Sequence, residues 1–217
     1  MLASITRLWR PESSVKDAAT FRRFMAEQSA FVAQKCTFEY ARARAGLNWD
    51  KLFREMAFRQ AVEKSRWEAF CYVLSDVGII LEGALRPHAR TREIELAERM
   101  GRLFELCLLE HPIPDHRPEG WGEEIEAFKL RLAQAQMTAP KAPYDIGEIS
   151  GGRIYKVLPI HSNLTRFDRE LVTNNIRFSL CRFHEDMLRR LAPEAVVADM
   201  LSAAPVPGAA GAAAREN

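Results

Sequence analysis

Apolar residues recur at three- and four-residue intervals along most of this chain, and that spacing predicts amphipathic helices. The first runs over 15–45. Ser14 and Asp17 supply a capping-box spacing at its start, and Gly46 a stop. Phe21, Phe24, Met25, Gln28, Phe31, Val32, Cys36 and Glu39 share its inward face. Asn48 caps a second helix, in which Phe53, Met56, Gln60, Glu63, Trp67, Phe70, Leu74, Val77 and Leu81 step 3-4-3-4 until Pro87 ends the run. Gly78 and Gly83 lower helix propensity near that end, as a bend or a close neighbour requires. A third helix over 91–110 carries Ile94, Ala97, Met100, Phe104, Cys107 and Leu108 on one side. The segment HPIPDHRPEG reads as a loop, and Trp121, Ile125, Phe128, Leu132 and Ala135 mark a fourth helix that fades near Thr138.

The character then changes. Residues 139–163 contain three prolines and three glycines around the apolar run IYKVLPI, a composition that predicts an irregular loop or a small hairpin. Thr165 and Asp168 repeat the capping-box spacing ahead of a fifth helix. Leu164, Phe167, Leu171, Asn174, Phe178, Cys181, Glu185 and Leu188 form its 3-4-3-4 seam, and Val172, Ile176, Leu180, Phe183 and Met187 supply a second apolar side. A helix with two apolar sides is expected at the centre of a bundle. Pro193 opens a short last helix ending near Leu201, and the Ala/Gly/Pro-rich remainder, 202–217, lacks the residues to form a core and is expected to be disordered. The pattern as a whole predicts an all-α fold: one domain over 12–201, a bundle of about five main helices with a long irregular loop before the central C-terminal one.

Composition narrows the function classes little. The chain has 217 residues with a net charge of +2, which argues against a nucleic-acid partner. Its 24 arginines and 7 lysines are interspersed with acids, as on a solvated mixed-sign helix surface. No apolar run approaches the roughly 18 to 20 residues of a membrane span. Cys36, Cys71, Cys107 and Cys181 are scattered without a C-x-x-C pair, and MLASITRLWR lacks an export signal, so a reducing cytoplasm is expected.

The polar residues that interrupt the seams are the chemical leads, because a charge forced into a helical core costs several kcal/mol unless paired. Gln28, Glu39, Gln60, Glu63, Asn174 and Glu185 fall at inward positions. If they shared a layer they would line a polar cavity, with Glu39, Glu63 and Glu185 as candidate acid–base groups, Gln28, Gln60, Asn174, Tyr144, Arg153 and His161 as candidate ligand contacts, and 144–161 as a lid. The plainer alternative pairs Glu63 with Arg59 or Arg66 on its own helix.

Catalytic and metal patterns are incomplete. Glu63 is followed at i+3 by Arg66, where a carboxylate-bridged dinuclear site needs histidine, and His184 precedes Glu185. Cys181 with His184 and Cys107 with His111 could share faces as metal ligands, but free cysteine usually packs as a small hydrophobe. His111, Asp115 and His116 cluster in the loop, a generic grouping. Ser150 lacks the G-x-S-x-G elbow of a nucleophile, and Ser150, Gly151, Gly152 and Arg153 lack the lysine and strand-loop-helix setting of a phosphate cradle. No cofactor or metal is therefore expected. The sequence favours a non-catalytic binding or protein-interaction protein, with a protein partner or self-association; the alternative is an enzyme or a carrier of a small molecule, lipid or cofactor in the bundle cavity.

Overall fold

A computed structural model describes residues 14–202, so the 203–217 part of the expected disordered tail lies outside the described residues. Among the described residues the fold is all-α, with one isolated parallel bridge between Val15 and Leu191. The helices are α1 (Ala18–Gln34), α2 (Tyr40–Ala45), α3 (Trp49–Leu52), α4 (Met56–Ala89), α5 (Glu93–Leu109), α6 (Gly122–Gln136), α7 (Pro143–Val157), α8 (Ser162–Thr165), α9 (Arg169–Arg190) and α10 (Pro193–Ser202).

The first helix is shorter than its pattern. Asp17, not Ser14, is the N-cap: it accepts from the Thr20 backbone N–H while the Thr20 side chain satisfies the cap's own N–H. A π-helical turn over Lys35–Glu39 shifts the phase, and α2 then stops at Gly46, which takes φ of 53° where a side chain would be strained. Phe38, Trp49, Phe53 and Phe58 pack edge-on and tilted around the α3 turn, with Phe38 and Trp49 centroids 5.0 Å apart. The second long helix consequently begins at Met56 instead of Asn48, and Phe53 and Met56 are exposed.

α4 is the hub, about 50 Å long, and α1, α5, α6, α7, α9 and α10 all pack on it. It continues two residues past Pro87, because a missing N–H in the final turn removes only one intrahelical bond. From Glu68 to Leu85 it is buried nearly all round, so the single seam expected along its length describes only half of it. Gly78 supplies the close approach its position suggested: a Cβ there would lie 2.8 Å from the Phe128 ring, which itself stacks on Phe104 with centroids 4.1 Å apart.

The expected loop over 139–163 is mostly helix α7. Pro143 sits at its first turn, where the absent N–H costs nothing, and the glycines that read as breakers let α7 lie directly on α9. A Cβ on Gly151 would fall 2.8 Å from the Thr173 Cα, and one on Gly147 2.9 Å from Leu180 Cδ1. The helix-propensity cost of glycine, about 1 kcal/mol each, is offset by this contact. α7 is therefore a packed element and no lid.

α9 is not central. Its buried side consists of Val172, Ile176, Ser179, Leu180, Phe183 and Met187, the set expected to be secondary, while the 3-4-3-4 seam points outward. Asp168 makes no capping bond; its carboxylate binds Tyr40 and Arg44, anchoring the start of α9 to α2.

If the α7–α9 contact depends on those glycines, Gly151→Ala should cost about 1–3 kcal/mol, since the obstructing atom is backbone. Gly122→Ala, with nothing within 4 Å of the added methyl, should stay within about 0.5 kcal/mol of the parent. Urea denaturation of the two variants measures both values.

Candidate functional site

Three carboxylates project from α4 into the interior at Glu68, Asp76 and Glu82, all with side chains 5% exposed or less. None lies on the seam read from spacing, which is why that reading missed them. The available signal was the apolar wrap around them: Val73, Leu74, Val77, Ile79, Ile80 and Leu81 leave no solvent side for an acid on the same helix.

Glu68 has the fullest set of partners. The loop before α6 presents Arg117, whose Nε and Nη2 donate to the two carboxylate oxygens at 2.5 and 2.8 Å. Tyr72 donates at 2.8 Å and His116 Nε2 lies 2.9 Å away. Arg117 also reaches Glu124 at 3.0 Å and covers the Trp121 ring. Burial alone would raise the Glu68 carboxyl, but the bonds from Arg117, Tyr72 and His116 outweigh it and hold the group at about 2. Burial and the neighbouring carboxylate push the Tyr72 phenol upward.

Asp76 is enclosed more completely and compensated less. Arg131 of α6 donates to Oδ1 at 2.7 Å and Ser150 of α7 donates to Oδ2, yet desolvation dominates and raises its carboxyl. Glu82 receives a forked pair of bonds from Arg86 at 2.8 and 2.6 Å, and Gln136 donates at 2.5 Å. Donors from α4 itself, α6, α7 and the loop before α6 meet the three acids. This arrangement ties α4 to α6, α7 and the preceding loop, and it leaves Glu68 no oxygen unengaged for a substrate proton.

The candidates from sequence lie elsewhere. Glu39, Gln60, Glu63 and Glu185 are exposed, so their expected inward placement does not occur. Glu63 takes the plainer alternative: its carboxylate accepts from Arg66 at 3.2 Å and from Trp67 Nε1 at 2.7 Å. Gln28 is half-buried on α1. His161 caps α8, its Nδ1 accepting from the Asn163 N–H at 3.2 Å. Arg153 extends over the Tyr72 ring and lies 3.9 Å from Glu124. Two candidates do meet: Tyr144 Oη and Asn174 Oδ1 are 3.4 Å apart, under the Arg177 guanidinium.

The loop cluster disperses, with His116 on Glu68 and His111 against Trp67 and Phe70. Cys36, Cys71 and Cys107 are buried, and burial raises the thiols of Cys36 to about 11 and Cys107 to about 12. Among the described residues no three His, Cys, Asp or Glu side chains are grouped to hold a metal. Ser150 to Arg153 lie inside α7, where no anion cradle can form.

The outward side of α9 is the feature that core packing leaves unexplained. Leu171 is 58% exposed, Phe178 60% and Leu188 65%, spread over the outward side of the helix. Phe167 and Leu164, leading into α9, are exposed too, as is Ile149 on the neighbouring α7, and Tyr144 packs against Phe178 at a centroid distance of 6.0 Å. Solvent-facing apolar residues thus recur on the element whose other side is core, with Asn174, Cys181 and Glu185 between them. Separately, a cavity of about 330 Å³ between α4 and the end of α9 is lined by Ile79, Ile80 and Met187 together with His88, His184 and Lys141.

No protein-family model, curated protein or solved structure matches this chain. Among the described residues no helix is long and apolar enough to cross a membrane.

The partners of Glu68 imply an acid-sensitive fold. Its folded carboxyl titrates near 2 against an ordinary 4.5, so its stabilisation is complete above pH 4.5 and is lost as the pH falls toward 2, by up to about 3 kcal/mol. Asp76 acts in the opposite sense: its contribution is fullest below the ordinary carboxylate range and declines as pH rises through its elevated value. Glu68→Gln should destabilise by about 3 kcal/mol at pH 7 and flatten the acid limb of a stability–pH curve. Asp76→Asn, which keeps an acceptor for Ser150, should cost less.

Proposed function

We propose that this protein is a non-catalytic helical interaction protein that docks another polypeptide helix along the outward face of α9. One observation carries the reading: Leu171, Phe178 and Leu188 stand in solvent on the 3-4-3-4 spacing that coiled-coil packing uses. An isolated exposed leucine is ordinary, but several exposed apolar residues along one side of a helix, beside Phe167, Tyr144 and Ile149, cost solubility unless something covers them. The saturated interior carboxylates argue in the same direction, since acid–base catalysis needs an ionisable group with a free position toward substrate.

A photo-crosslinking amino acid placed at Phe178 in living cells tests this reading, with Glu126 on α6 as the control position because its side chain is 73% exposed and remote in sequence. A discrete adduct from position 178 and none from 126 is expected. Failure to form any adduct at 178, with the fold intact by circular dichroism, would remove the proposal.

The 330 Å³ cavity favours a second reading, as a carrier of a small organic ligand. Its apolar floor and the basic groups His88, His184 and Lys141 suit a short-chain carboxylate. Native mass spectrometry of the purified protein would then detect such an acid, and His184→Ala with Lys141→Ala should release it.

A further inference from the structure

We propose that the helix covering α9 is α9 of a second copy of this chain, running antiparallel about a two-fold axis near position 176. The inference rests on the interaction reading above and names its partner. The outward face has two rows, Leu171, Phe178 and Glu185 in one and Asn174, Cys181 and Leu188 in the other. Antiparallel pairing of identical helices sets each row against the opposite row of the other copy. Leu171 then meets Cys181 of the second copy, and Phe178 meets Asn174 of the second copy, so each large side chain lies over a small or half-buried one. Leu188 is directed toward the α8 end of the other chain, where Leu164 is exposed.

Charge selects both the orientation and the identity of the partner. Glu170, Glu185 and Arg166 form no ion pair with another described residue, although all three are exposed. In the antiparallel arrangement Glu185 approaches the turn carrying Arg166, whose guanidinium lies over the Phe167 ring at 4.5 Å, and Glu170 faces His184 of the second copy. Opposed helix dipoles add to the preference. Parallel pairing would instead set Glu185 against Glu185, and Arg177, already held by Glu148, against Arg182, with no opposite-charge contact in their place. Beside the axis Arg177 meets Arg177 of the second copy, but each is already paired with its own Glu148, so the opposite-charge contacts favour the antiparallel direction.

Leu171→Cys tests the geometry, because the native Cys181 supplies the other half of a crosslink. Within one chain the two positions are about 15 Å apart along the helix axis, too far for a disulfide, so any 171–181 bond joins two copies. Mild oxidation of the full-length variant should give a covalent dimer whose peptide map contains the 171–181 linkage. Sedimentation equilibrium of the unmodified protein at micromolar concentration should give twice the 24.7 kDa chain mass, and Phe178→Asp should return it to one chain mass with its helicity unchanged. A 171–171 linkage would overturn the antiparallel arrangement, and an unmodified protein that stays at one chain mass would overturn self-pairing. In that second case, an adduct at position 178 with a different polypeptide would leave the interaction reading standing, and absence of any adduct would remove both.

Discussion

Three carboxylates buried on a single helix set the terms for the rest of this fold. An unpaired buried charge costs several kcal/mol, so each acid of α4 must be met by donors brought from somewhere. Glu82 finds Arg86 one turn along its own helix, whereas Glu68 and Asp76 depend on Arg117 and Arg131, which lie in and before α6. Ser150 adds α7 to the same interior, and Gln136 fixes the end of α6. Apolar contact is tolerant of sliding, but the forked Arg117–Glu68 pair just before α6 and the Arg131–Asp76 bond from within it are not, and together they specify where α6 sits along α4. The Phe104–Phe128 stack and the close Gly78 contact then fill the space that this register leaves.

The second organising contact is the approach of α7 to α9 through Gly147 and Gly151. With Thr173 and Leu180 nearly touching the α7 backbone, α9 is held by α7, α1 and α4 on one side. No further element of the described chain is available for its other side. The outward leucines and phenylalanines follow from that shortage, and so does a functional reading that places recognition on a rigid helix face.

All-α architecture was legible in the sequence because a 3.6-residue period survives whatever the helices pack against. The boundaries of α5, α6 and α10, the stop at Gly46 and the Glu63–Arg66 pair depend on neighbours in sequence and could be read locally. The nature of 139–163 could not, since Gly147 and Gly151 are unfavourable in an isolated helix and become useful only once α9 lies against them. The start of α4 was also hidden: the Trp49–Phe53–Phe58 cluster turns the chain where periodicity would continue it.

The same division explains the candidate site. Spacing alone determined that α9 has two apolar sides and that its outer row matches a coiled-coil seam. Which side enters the core was decided by tertiary structure, because periodicity defines a face without naming its neighbour. Glu68, Asp76 and Glu82 illustrate the converse: the apolar wrap around them marks them as buried, but for Glu68 and Asp76 the compensating Arg117 and Arg131 come from distant segments that spacing on α4 cannot name.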